Sequence, residues 1–131
     1  PIDIYNHGEM WRDFTYVDDI ANGVVRVLDR PATLDAAFDA ASPDPARSNA
    51  PYRVFNIGNS EPVTLTRLIE AIEKATGKTA IKNMLPMQPG DVPATYADVA
   101  DLMRDTGFKP ATSIETGIAR FVQWYREYYK V

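Results

Sequence analysis

The run Tyr52-Arg53-Val54-Phe55-Asn56-Ile57 limits what this chain can fold into more than any other stretch. Read as a strand, it points Val54 to one face and Phe55 and Ile57 to the other. A strand apolar on both faces belongs inside a sheet that is covered on both sides, the arrangement of parallel α/β sheets. Gly58 closes the run. Such a strand needs a hydrogen-bonded neighbour as well as helical cover, because an unpaired edge leaves backbone donors and acceptors open.

The cover is legible on either side. Asp18 suits a helix N-cap with Asp19 in the first turn, followed by Ile20, Val24, Val27 and Leu28 at helical spacing and a stop at Pro31. A second helix is capped by Thr64, with Val63 and Leu68 able to staple across it, and stopped by Gly77. Its apolar stripe is Leu65, Leu68, Ile69 and Ile72, with Glu70 and Lys74 paired on the wet side. A short helix spans 98–106 and ends at Gly107. The last helix opens on Thr112 and Glu115 in capping-box spacing and buries Ile114, Ile118, Phe121, Val122 and Tyr125. Pro1 to Asn6 reads as a short strand ending in an Asn-His-Gly turn, Trp11 to Val17 as a second extended segment, and Thr79 to Leu85 as a third. Residues 31–51 are rich in Ala, Pro, Asp and Ser without a period, and read as a long loop insertion. Strands alternating with helices give the α/β class.

What the chain lacks is equally specific. Its seven glycines are never closer than ten residues apart, so no Gly-rich turn exists to carry a dinucleotide pyrophosphate at a helix N-terminus. No tyrosine is followed four positions later by lysine. With no cysteine and one histidine, neither a disulfide nor a metal-ligand cluster is expected. A net charge of −4 argues against a nucleic-acid surface, yet leaves room for an anionic small ligand held by one or two placed arginines. No apolar run approaches the ~20 residues of a membrane span. The chain starts at Pro1 and reads as the C-terminal part of a longer protein.

Two segments carry the chemistry. In Trp11-Arg12-Asp13-Phe14-Thr15-Tyr16-Val17, an extended backbone sets Arg12, Phe14 and Tyr16 on one face. A guanidinium beside two rings suits a ligand with phosphate at one end and a flat base at the other. The plainer reading, an Arg12–Asp13 pair solvating an edge strand, is the commoner one on spacing alone. Gln88-Pro89-Gly90-Asp91 is a tight turn whose amide and carboxylate can meet ribose hydroxyls or phosphate, or whose Asp91 only caps local amides. Asp18 and Asp19 are better explained by helix capping than as a catalytic carboxylate pair. His7 lies in a Gly-containing turn as a solvated residue, and Trp124, Tyr125, Tyr128 and Tyr129 read as packing with polar tips.

Together with Pro1-Ile2-Asp3-Ile4-Tyr5-Asn6, Tyr52 to Gly58 and the stretch Asn83 to Asp98, these segments make the chain resemble extended short-chain dehydrogenase/reductases that act on nucleotide sugars, the NAD-dependent epimerases and dehydratases. The likeness covers nearly the whole chain, falls in the C-terminal substrate-binding portion, and is strongest toward the bacterial UDP-glucuronate 4-epimerase branch. It implies that residues 1–131 hold the UDP-sugar, while NAD and the catalytic residues sit in an N-terminal domain outside the chain. This chain alone would then bind no cofactor, contain no catalytic residue and be inactive. It would contribute a strand and a helix to a Rossmann sheet supplied elsewhere. By motif position, Arg12 binds the diphosphate, Asp91 a ribose hydroxyl, and Tyr5 with its neighbours lines the uracil pocket. Gln88 stands where galactose-type relatives carry a second phosphate-binding arginine, a departure that favours a glucuronate-type substrate. The resemblance further implies a cytoplasmic homodimer and self-association of the isolated piece. A related nucleotide-sugar dehydratase or decarboxylase, or a stand-alone non-catalytic nucleotide-binding domain, remains as the alternative.

Overall fold

The computed structural model describes all 131 residues. In chain order the elements are β1 (Ile2–Ile4), a 3-10 turn (Tyr5–Gly8), β2 (Trp11–Arg12), α1 (Val17–Leu28), β3 (Val63–Thr64), α2 (Leu65–Thr76), β4 (Lys82–Met84), α3 (Ala100–Thr106) and α4 (Ile114–Tyr129). The α/β reading holds, but the strands are short. β1 pairs in parallel with β4, Ile4 opposite Met84, and β2 pairs antiparallel with β3, Arg12 opposite Val63. The Asn-His-Gly turn forms as expected, with Asn6 and His7 at φ 49° and 51° and Gly8 at 85°.

Helix α2 is built as its caps dictate. The Thr64 hydroxyl accepts from the Arg67 amide at 3.2 Å, and Gly77, at φ 72°, ends the helix by donating to the Glu73 carbonyl at 2.9 Å. The expected Glu70–Lys74 pair is absent. Glu73 instead bonds the Ala80 amide at 2.9 Å and Lys82 at 3.0 Å, which ties the end of α2 to β4. The Ala80 amide first, and Lys82 second, hold the Glu73 carboxyl below its ordinary range. Ile69 and Ala71 of α2 and Val122 of α4 are buried, and Arg67 forks onto Glu115 across the same two helices at 2.7 and 3.1 Å.

Several expectations are corrected. Helix α1 begins at Val17, so Asp18 lies in its first turn and is not the cap. Asp19 reaches outward to accept from the Ala111 and Thr112 amides. Thr112 lies outside α4, and Ser113 caps that helix, its hydroxyl accepting from the Thr116 amide at 3.2 Å. Of the extended run 11–17, only Trp11 and Arg12 find a strand partner. Phe121 and Tyr125 are not buried by α4: both are about half exposed and pack instead, tilted, against Trp124 and Tyr129, with centroids 5.7 and 4.6 Å apart. One turn of a helix separates these rings, so they satisfy each other along its surface.

The most consequential correction concerns 52–57. The run is not a strand. Its only ladder contacts are an isolated bridge from Arg53 to Arg47 and a bond from the Val54 amide to the Ala46 carbonyl at 3.1 Å. No second strand of this chain lies alongside, so a segment with strand chemistry has no ladder to join. Val54 is 46% exposed, and on the neighbouring α1 Val24 and Leu28 are 53% and 76% exposed. Val24 and Leu28 line a cleft of ≈ 450 Å³ with Phe55 and Ile57. The whole chain exposes 8975 Å², against about 6,900 Å² for a folded monomer of 14.6 kDa. The surplus exceeds the ~800 Å² that one partner buries in a standard interface.

Residues 31–51 do form a loop, but a tied one. Asp35, Asp39 and Asp44 each accept the amide two residues on, from Ala37, Ala41 and Ala46. Arg47 then faces Asp35, Asp44 and Asp101 at 3.7, 3.3 and 3.6 Å, while Arg53 bonds Asp101 at 3.2 Å and also Asp105. A hydrogen bond from Arg104 lowers the Asp101 carboxyl, with Arg53 and Arg47 adding to it. Burial pushes Asp105 up, and bonds from Arg104 and Arg53 outweigh it, leaving it low.

Two expectations follow from this packing. Covering two or three of the bare apolar side chains is worth about 1.5–3 kcal/mol each, a large part of a typical ~5–15 kcal/mol stability. The 131-residue chain therefore self-associates or melts low; sedimentation with thermal unfolding checks this, and a monomer unfolding cooperatively above about 65 °C contradicts it. Because Asp101 and Asp105 titrate lower folded than unfolded, the loop clasp is complete above about pH 4 and is lost as pH falls through their folded values. Exchange protection of the Val54 amide, corrected for intrinsic rate, should collapse below that point before the interior of α2 opens. Equal loss in both places contradicts it.

Candidate functional site

Arg12 closes β2, and the backbone around it is held on both sides. The Trp11 amide donates to the Pro93 carbonyl at 2.8 Å, the Thr95 amide donates to the Trp11 carbonyl at 3.1 Å, and on the other edge the Leu65 amide donates to Met10 at 2.8 Å. This three-way ladder brings the 88–97 arm alongside β2. The Arg12 guanidinium then meets the Asp91 carboxylate at 2.9 Å, across 79 positions of sequence, and its other terminal nitrogen donates to the Trp11 carbonyl at 2.8 Å. Side-chain exposures of 24% and 33% leave both groups within reach of a ligand.

The turn that presents Asp91 is the expected one. Its amide donates to the Gln88 carbonyl at 3.2 Å, and Gly90 in the third position has φ 84°, the geometry in which a glycine is favoured after proline. Asp91 also accepts the Val92 amide at 2.9 Å. The carboxylate thus caps its own turn, as one sequence alternative has it, and it also faces Arg12, which neither alternative named. Gln88 is exposed at the opposite end of that turn.

Tyr5, half-buried, opens the 3-10 turn directly after β1. The parallel β1–β4 pair continues past the strands, with the Leu85 amide on the Ile4 carbonyl and the His7 amide on the Leu85 carbonyl, at 2.9 and 3.0 Å. Tyr5 thus stands beside the root of the arm that carries Gln88 and Asp91. Of the four sequence candidates, the structure joins Arg12 and Asp91 in direct contact and sets Tyr5 and Gln88 on the two chain segments leading to them.

The expected sharing of one face by Arg12, Phe14 and Tyr16 does not occur. Phe14 and Tyr16 line a groove of ≈ 280 Å³ with Leu68, Ile118 and Phe121, and Arg12 is not among its walls. Gly117 makes room for the Tyr16 ring: a Cβ there would lie 3.3 Å from it. Period-two alternation fails because the backbone leaves the sheet after Arg12, so the rings turn toward α2 and α4.

Sequence reasoning missed Asp13. Its carboxylate does not solvate an edge; one oxygen accepts from the Ser60 and Ala97 amides at 3.0 and 3.1 Å. The other oxygen is buried without a partner. The available signal was Gly58, which follows the apolar run and admits this close approach.

A Cβ on Gly58 would sit 2.3 Å from that of Ala97, so the space beyond the 52–57 run is filled by this chain's own residues. No helix is long and apolar enough to cross a membrane.

Because the Arg12–Asp91 pair is partly exposed, it contributes at most about 1 kcal/mol to the fold. Asp91→Asn should therefore shift the melting temperature by no more than a few degrees. A loss of more than about 10 °C in a thermal melt would make the pair a structural strut instead.

Residues 1–58 match the NAD dependent epimerase/dehydratase family. The chain is 56% identical to Staphylococcus aureus protein CapI over 98% of its own length and 39% of that protein's. It is 48% identical to a probable UDP-glucuronate 4-epimerase of Rhizobium meliloti, over 99% and 38%. The fold matches UDP-glucuronic acid 4-epimerase from Bacillus cereus, solved in complex with UDP-glucuronic acid and NAD, with TM-score 0.74, 29% identity, and coverage of 98% and 36%. The chain thus spans under two fifths of the length of these relatives.

Proposed function

We propose that this chain, which belongs to the NAD-dependent epimerase/dehydratase family, anchors the UDP end of a nucleotide sugar for a 4-epimerase, with UDP-glucuronate and UDP-galacturonate as the interconverted pair. The observation that carries the reading is the Arg12–Asp91 contact, which sets a guanidinium fork beside a carboxylate at the accessible end of β2. A planar guanidinium matches two diphosphate oxygens at once. A carboxylate beside it accepts from a ribose hydroxyl, one sugar ring away from the diphosphate. Tyr5 supplies aromatic surface for the base, and Gln88 an amide where a second cation would otherwise clamp the phosphates.

The relatives named above support the choice of substrate. A neutral Gln88 leaves one strong cation, Arg12, at the diphosphate. For 4-epimerisation that economy makes sense: the sugar ring must present both faces to the reacting centre, so affinity has to reside in the nucleotide. Anchoring there holds the molecule while the ring turns. In such a reaction NAD would supply the redox chemistry at C4 when bound, and these residues hold the nucleotide. Their work is to bind, orient and retain UDP. We place the protein in the cytoplasm as a homodimer, on the same family grounds.

The experiment is calorimetric titration of the full-length protein with UDP. Arg12→Ala should weaken binding by about 2–4 kcal/mol, the range for removing one partner of a hydrogen-bonded charge pair. Arg12→Lys should recover only part of the loss, because an ammonium is a point charge without the fork. Unchanged affinity for Arg12→Ala rejects the assignment.

A further inference from the structure

We infer that Asp13 is a positioning residue for the diphosphate grip, acting through Arg12 and the 91–97 arm; the inference rests on the UDP-anchoring reading above. Asp13 follows Arg12 directly, and three separate segments converge on it. One carboxylate oxygen accepts from the Ser60 amide at 3.0 Å and the Ala97 amide at 3.1 Å. The Asp13 amide donates to the Thr95 hydroxyl at 3.3 Å. Together with the Trp11 bonds to Pro93 and Thr95, these contacts fix residues 93–97 against β2 on both sides of Arg12. The arm that carries Asp91 is therefore registered to Arg12 from its far end by Asp13.

The surroundings are shaped for this one carboxylate. Gly58 lets the 58–60 segment approach, since a Cβ there would lie 2.9 Å from the bonded Asp13 oxygen as well as against Ala97. Ser60 takes the left-handed conformation, φ 58°, which is uncommon without glycine, and it is there that its amide meets Asp13. The Ser60 hydroxyl in turn meets the Tyr96 hydroxyl at 3.0 Å, so the 58–60 segment and the arm also touch independently. Hydrogen bonds to an ionised acceptor are roughly twice as strong as neutral ones. That strength offsets the cost of a second oxygen left buried and unpartnered. A group that only filled space would be better served by a neutral side chain.

The consequence is a coupling. Asp13 touches no ligand in this scheme, and its value is the separation it imposes between Arg12 and Asp91. Residues in one hydrogen-bond network couple by about 2- to 150-fold in an equilibrium constant. Asp13→Ala should weaken UDP binding about 10- to 100-fold in the full-length protein, within that span. Asp13→Asn, which keeps an acceptor oxygen at lower strength, should stay within about 3-fold of the parent. In an Arg12→Ala background, Asp13→Ala should cost no further affinity beyond about 2-fold, because the group it positions has gone.

The test is UDP calorimetry on the parent, the three single variants and the Arg12→Ala/Asp13→Ala double variant, each checked for fold by thermal melting. Should Asp13→Ala fail to fold, Thr95→Val takes its place. That variant removes only the acceptor of the Asp13 amide, and should lower UDP affinity several-fold with Arg12 present and not without it. Losses that multiply in the double variant, or parental affinity in Asp13→Ala or Thr95→Val, overturn the inference while leaving the anchoring role of Arg12 standing. Parental affinity in Arg12→Ala, or no UDP binding by the parent, overturns both.

Discussion

The backbone at Trp11 is the joint on which the structure turns. It is bonded to Pro93 and Thr95 on one side, while its strand pairs with Val63–Thr64 on the other. One short strand thereby connects the N-terminus of α2 to the arm that follows β4. Everything proposed for the site depends on that connection, because Arg12 and Asp91 are distant in sequence and their local bonds do not bring them together. The pair forms because a strand of two residues has partners on both edges.

The same logic explains why the molecule divides into a well-packed and a bare part. Where two elements of this chain supply partners for each other, as in α2 with α4 or β1 with β4, Ile4, Ile69, Ala71 and Val122 are buried, and Arg67 and Glu73 are paired. On α1 and the 52–57 run the partners are missing. Apolar surface stays open there, and a segment with strand composition has almost no ladder. The charged clasp of Arg47, Arg53, Asp101 and Asp105 holds this region in place by ion pairs rather than by a core. Its relatives are more than twice as long.

Local chemistry was legible in the sequence and non-local pairing was not. The Thr64 cap, the Gly77 stop and the Pro89-Gly90 turn are decided within four residues, and each forms as read. The 52–57 strand fails because a strand is a property of its neighbours, which composition does not supply. The cap of α4 falls to Ser113 rather than Thr112, two neighbouring residue types that both cap well, so sequence alone does not choose between them. The alternation of Arg12, Phe14 and Tyr16 breaks once the backbone leaves the ladder. At the site, Arg12 and Asp91 were nominated by motif, and their meeting is a tertiary event. Asp13 stayed hidden because its role lies in amides more than forty positions away.

The central claim is that Arg12 holds the diphosphate of UDP and Asp91 a ribose hydroxyl. A crystal structure of the full-length protein with UDP tests this most directly. The account predicts the Arg12 guanidinium within hydrogen-bonding distance of diphosphate oxygens and the Asp91 carboxylate on a ribose hydroxyl, with the β2–arm ladder unchanged. UDP bound elsewhere, with the Arg12–Asp91 contact still closed at 2.9 Å, would contradict it.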